Sequence, residues 1–390
     1  MSALKAVVAQ GAASATMMLL SVLVARSGGT AALGALGVAV AVFLLAQSVA
    51  REATVMTLVS VRPGIEQIRE RCSRQSLIGL CAAAVMLVAG GLTGSSTMVI
   101  VGLGVHGMLL AHYSRLVSLT LGGGWLAMLQ ELVVVSSVGV LAAGSFVLGW
   151  SGQRAVAVWV VSSALVGYGT ALALRMDLRP RWGGDGEEGK VGGVFAFQSL
   201  TSTGSVHVLT LALAGLTGQV VVGALRGAAT VIAPANAILV ALHPLAVARL
   251  GQMREASGRE LWVRMVTLAG GTLGVFSAIA VVMTAVVHLY GDELLGTAWK
   301  DVQPIVWIVV VDGLLGAMCF VPAAAHRALW EHRRSSVISV TAALLRLPLV
   351  LGGALVSGAA GAAVGFAAAN CVLCVAWWIS AARLTTDVRP

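Results

Sequence analysis

Apolar residues run in stretches of about 20, a dozen times over, and with the short Arg-bearing connections between them they fill this chain almost end to end. A helix needs ~17–25 predominantly apolar residues to cross the hydrocarbon core of a bilayer. The reading is therefore an all-α polytopic membrane protein with little material outside lipid. The spans are expected near 6–26, 31–50, 76–93, 97–121, 126–149, 155–174, 192–215, 219–243, 261–289, 303–325, 335–357 and 359–382. Only 11% of the 390 residues are charged, against about 25% in a soluble domain. This chain could not cover a water-facing surface with that charge.

The net charge of +9 does not mark a nucleic-acid protein, because Lys and Arg are scattered through the connections rather than gathered on one face. They do set an orientation. With twelve spans, the outside connections hold Arg26, Arg154 and Lys300, while Arg226 and Arg346 lie inside spans. Every other Lys and Arg then falls on the inner side, and that bias places both termini in the cytoplasm. Lys5 followed by the apolar run from Ala6 to Ala25 reads as a retained first helix rather than a cleaved signal. The charged stretch 51–75 reads as a topology determinant and a solvated face. Trp125, Trp150, Trp182, Trp262, Trp299 and Trp330 fall near span ends, where amphipathic rings favour the interface.

The longest polar insert, Arg175 to Lys190, lies near the midpoint of the chain. It divides an N-terminal six-helix bundle (1–174) from a C-terminal one (191–390), with 175–190 as a cytoplasmic linker. A weak internal repeat agrees. Gln10 and Ser14 find counterparts in Gln198 and Ser202, Gly34 to Leu36 in Gly223 to Leu225, and Gln47 in Asn236. Halves with an even number of spans share one orientation and leave a cavity between them.

Several motifs are better declined. Gly184 to Lys190 resembles a phosphate loop but lacks the Ser/Thr and the preceding strand that such a loop needs. Gly102, Gly104 and Gly107 satisfy GxGxxG inside a span, which reads as helix packing, as do the GxxxG pairs Gly270/Gly274 and Gly361/Gly365. The Cys371/Cys374 pair lacks a second ligand pair and reads as small buried side chains. His106 and His112 read as hydrogen-bonded helix residues. Neither a metal nor a cofactor is expected.

Charges inside spans cost ~2.5–3.5 kcal/mol each on insertion scales and tend to face a bundle interior or a wet cavity. The candidates are Arg226, Asp312, Arg346 and Glu131, with Arg51 and Arg115 near span ends. Helical spacing lines up Gln10, Ser14 and Ser21, then Gln198, Ser202 and Ser205. Gln47 and Arg51 are one turn apart, and Arg226, Thr230 and Pro234 share a face. These stripes are expected to line the gap between halves. A guanidinium there suits a phosphate or pyrophosphate, which it can grip with planar paired donors. Asp312 reads equally as an ion-coupling acid or as a pin paired with Arg346 or Arg226.

On these residues the chain resembles the polysaccharide flippases of the multidrug/oligosaccharidyl-lipid/polysaccharide exporter superfamily. Ala35 to Gln47 looks like that family's second helix. Val221 to Asn236, with Arg226 after a short outside turn, looks like its eighth, and Pro244 to Arg249 like that helix's cytoplasmic exit. The resemblance implies two six-helix bundles around a cavity that opens alternately to each face of the bacterial plasma membrane. It implies an undecaprenyl-diphosphate-linked oligosaccharide as cargo, with Arg226, Arg51 and Arg346 on the diphosphate. Gln10, Ser14, Gln47, Gln198, Ser202, Thr230 and Asn236 are expected to bond sugar hydroxyls. The partners expected are this lipid-linked glycan, membrane lipids and glycan-assembly enzymes. Three rivals stand beside this reading: a multidrug-type cation antiporter using Asp312 and Glu131, a membrane glycan polymerase or ligase, and a non-transporting scaffold. The short outside connection near 290–302 argues against the polymerase.

Overall fold

Lipid offers no water to satisfy a backbone, so a crossing segment closes its own hydrogen bonds as a helix. The computed structural model describes residues 2–59, 65–121, 124–182, 204–253 and 256–387, and all regular structure among them is helical. The long helices are α1 (Ser2–Val59), α2 (Ile65–Thr93), α3 (Ser96–Leu121), α4 (Trp125–Leu148) and α5 (Gly152–Ala173). They continue as α6 (Gly204–Thr217), α7 (Gln219–Gly251), α8 (Gly258–Leu295), α9 (Val306–Ala328) and α10 (His332–Asp387).

Eight helical stretches are long and apolar enough to cross a membrane. Three of them are double. α1 breaks at Gly29 (φ 67°), a left-handed conformation that suits glycine. The stretch Gly258–Ala328 is interrupted at Tyr290 and by 3-10 turns at Gly296–Ala298 and Gln303–Ile305. α10 turns back at Ser357 and Gly358. Counted with the shorter apolar α6, the described residues hold twelve helical segments, and the breaks at 29 and 357–358 fall where the sequence places them.

The chain divides into two compact units, residues 1–223 with 295–297, and residues 224–294 with 298–390. In the first, α3 packs most extensively against α2 and α5. Glycines bring these backbones together: Gly102 faces Met86 and Leu87, and Gly167 abuts the Gly107 carbonyl. The GxGxxG run is thus a packing seam. The second arm of α1 meets the first turn of α7 in the same way. Gly34 abuts the carbonyl of Gln219, and Gly223 abuts that of Thr30. Each glycine therefore faces the residue one helical turn before the other. Gly34 and Gly223 are positions that match in the sequence repeat.

In the second unit the arms of α10 close on Gly353 and Gly361, each against the other's carbonyl, with Gly365 on that of Leu349. Gly361/Gly365 therefore packs internally, as expected. Gly270 and Gly274 do not, since no described atom lies within 4 Å of the space a side chain would fill. Leu250, Leu261, Met265, Val321 and Ala381 form the core at one end of this unit.

The stretch 51–75 departs from its reading as a solvated loop. α1 runs to Val59, α2 begins at Ile65, and Arg71 to Ser76 are buried. The backbone supplies what water would have. Arg74, 1% exposed, donates through Nη1 to the Ala53 carbonyl at 3.0 Å and through Nε to that of Trp182 at 3.2 Å. Its guanidinium also lies over the Trp182 ring. Gln75 Nε2 donates to the Leu109 carbonyl at 2.7 Å. The described part of the expected linker, 175–182, folds back on α2: Asp177 N donates to the Arg69 carbonyl and Ser76 Oγ to that of Leu178.

Candidate functional site

The polar residues at membrane depth sort by unit. In the first, Arg115 on α3 pairs with Glu131 on α4 at 2.6 Å through Nη1, and its Nη2 donates to Gln10 Oε1 on α1 at 3.4 Å. Both charged side chains are less than a fifth exposed. Glu131, expected as a cation partner, is thus held by a guanidinium. One residue earlier, Gln130 Nε2 donates to Ser114 Oγ at 2.7 Å and to Thr170 Oγ1 at 3.2 Å.

Gln47 lies 2.8 Å from His112, its amide nitrogen toward Nδ1. That nitrogen can only donate, so Nδ1 accepts and the ring proton sits on Nε2, which is buried without a hydrogen-bond partner among the described residues. His106 bridges Ser76 and Tyr168 at 2.9 and 2.7 Å. Because the Ser76 hydroxyl already donates to Leu178, His106 Nε2 donates to Ser76 and Nδ1 accepts from Tyr168. Both histidines are hydrogen-bonded helix residues, as expected. Arg51 turns to its sequence neighbour Glu52 at 2.8 Å and remains 35% exposed. Ser14 is half-buried on the face of α1 that carries Gln10.

In the second unit Arg226 lies on α7, half-buried, with its Nε buried and without an acceptor among the described residues. Thr230, one turn on, donates its hydroxyl to the Arg226 carbonyl at 2.8 Å. α7 continues through Pro234, and Asn236 is exposed. Asp312 on α9 and Arg346 on α10 do not touch directly. Arg346 Nη2 donates to Asn370 Oδ1 at 2.7 Å, and Asn370 Nδ2 donates to Asp312 Oδ1 at 2.6 Å. Asn370 thus ties α9 to both arms of α10. Gln198 and Ser202 lie outside the described residues.

The structure therefore joins Gln10 to Glu131 through Arg115, and Asp312 to Arg346 through Asn370. Arg115 and Asn370 are the linking residues that sequence reasoning left out of the site. Asn370 had a signal, as the sole amide side chain in the apolar run 359–382. Three guanidiniums, on Arg115, Arg226 and Arg346, each keep a buried Nε without an acceptor among the described residues. An unmet buried donor costs roughly 1–3 kcal/mol. An oxyanion reaching such a donor forms a charge-assisted hydrogen bond, about twice as strong as a neutral one.

Neither a protein family nor a curated protein matches the sequence. Solved structures do. A multidrug resistance MATE family transporter of the MOP superfamily, in its inward-facing conformation, aligns with a TM-score of 0.68 at 13% identity, over 97% of this chain and 95% of that one. Lipid II flippase MurJ, in an inward closed conformation, aligns at 0.63 and 11% identity, over 94% and 85%. The chain shares the fold of these two structures. An outward-facing MATE structure of that superfamily also aligns, at 0.54 over 99% and 95%. That fold agrees with about twelve spans, and the helical stretches long and apolar enough to cross a bilayer make this a multi-pass membrane protein. At these identities the likeness is one of fold.

Proposed function

We propose that this exporter-fold chain is a flippase that moves a polyprenyl-diphosphate-linked oligosaccharide across the bacterial plasma membrane by alternating access, with both termini in the cytoplasm. The observation that carries the reading is Arg226. It is a guanidinium at membrane depth with a buried, unmet Nε and no ion pair among the described residues. A cationic drug would be repelled there, whereas a diphosphate brings the oxygens that this donor lacks. Arg346 assists, its own Nε also unmet, and Arg51 does so in the second arm of α1. Gln10, Ser14, Gln47, Thr230 and Asn236 are the described candidates for sugar hydroxyls, with Gln198 and Ser202 added from the sequence repeat.

A multidrug-type cation antiporter is the second reading. The MATE likeness favours it, as does Asp312, whose Oδ1 meets an amide rather than a guanidinium. Asp312 would then be the coupling acid. Glu131 serves that reading less well, being already neutralised by Arg115 at 2.6 Å.

Purified protein in liposomes separates the two. The expected result is inward-to-outward transfer of a polyprenyl-diphosphate oligosaccharide, read by glycosidase or lectin accessibility, without gradient-driven efflux of a cationic dye. Dye efflux lost on Asp312→Asn, with no lipid transfer, would support the antiporter and remove the flippase.

A further inference from the structure

The two arms of α10 start and finish at the same end of their unit, and that end is cationic. Arg333 and Arg334 open the first arm, and Arg383 closes the second. Between them lies a groove of about 530 Å³. The three guanidiniums stand at its rim with Ser380, and Val337 and Ile379 form its walls. Val337 is 60% exposed and Ile379 51%, so the walls are open to an apolar occupant.

One side of the groove is fixed from behind. His326, wholly buried, donates from Nδ1 to the Pro322 carbonyl at 2.8 Å, because that carbonyl can only accept. Its Nε2 then accepts the Ser380 hydroxyl proton at 2.7 Å, and its ring packs edge-on against Trp377 at 5.0 Å. Arg334 lies 3.6 Å from Glu331, which offsets one charge in part. Arg333 and Arg383 form no ion pair among the described residues.

Cations at the rim, an apolar slot below and a position at the end of a spanning hairpin describe the complement of one ligand. A soluble phosphate would leave Val337 and Ile379 uncovered, and an apolar chain alone would leave the guanidiniums unmatched. An anionic phospholipid satisfies both, with its phosphate among the arginines and one acyl chain along the walls. We propose that this groove holds one anionic phospholipid as a bound, non-transported lipid. Neither Arg226 nor Arg346 lines it, so the assignment does not rest on the nature of the cargo.

Native mass spectrometry of delipidated protein, offered equal phosphatidylglycerol and phosphatidylcholine, tests the site. The wild type is expected to retain one phosphatidylglycerol with a preference on the order of tenfold. Arg333→Gln/Arg383→Gln should bring the two lipids to parity. Arg154→Gln, in the other unit, should leave the preference intact. Ile379→Glu, an exposed wall position, provides an independent variant and should also lose the bound phosphatidylglycerol. Equal retention of both lipids by the wild type would overturn the proposal, as would preference surviving in the double variant. Displacement of the lipid by millimolar inorganic phosphate would make this a soluble-anion site and overturn it equally.

Discussion

Each unit holds a half-buried carboxylate on a helix of a membrane-spanning stretch, but they hold it differently. Glu131 meets Arg115 directly at 2.6 Å, whereas Asp312 reaches Arg346 only through the Asn370 amide. A direct pair cancels charge locally and fixes two helices, α3 and α4. The relay ties α9 to both arms of α10 yet keeps the charges apart. The first arrangement behaves as a pin, and the second leaves both charged groups able to engage something else.

The largest expected effect follows from cutting the relay. Asn370→Leu removes one charge-assisted hydrogen bond from a half-buried carboxylate and one from a half-buried guanidinium, so the purified protein should lose roughly 3–5 kcal/mol of stability. Thermal unfolding in detergent reads this, and a negligible shift would mean that the amide is dispensable. The direct pair comes next. Arg115→Gln and Glu131→Gln should each destabilise, and the double variant should do so by less than their sum, with a coupling of about 1–3 kcal/mol. Additive losses would break the contrast between pin and relay. Arg51→Ala removes a pair that is a third exposed, and should cost no more than about 1 kcal/mol. Arg226→Ala is the smallest of the set. It deletes a donor without an acceptor, so stability should hold or rise slightly.

The spans were legible because an apolar run of about 20 residues has few alternatives in a chain this poor in charge. The breaks at Gly29 and Gly358 were legible too, as short polar or glycine interruptions of such runs. The buried cluster from Arg71 to Ser76 was not. Arginine between apolar runs signals a solvated connection, and nothing local reveals that the carbonyls of Ala53 and Trp182 will come to meet Arg74. The relay was half legible. Asp312 and Arg346 stand out as charges at membrane depth, but Asn370 is 58 residues from one and 24 from the other, and only packing brings it between them. Glu131 misled for the opposite reason. It announced itself as an isolated acid, while its partner Arg115 read as a residue at the end of a span.

Under the proposed function, Arg226 does little for the fold and much for the cargo. The direct measurement compares Arg226→Ala and Arg226→Lys with the wild type in liposomes, following transfer of a polyprenyl-diphosphate oligosaccharide alongside thermal stability. The expected result is near-complete loss of transfer in the alanine variant, partial recovery with lysine, and unchanged stability in both. Wild-type transfer rates in a well-folded Arg226→Ala protein would contradict it.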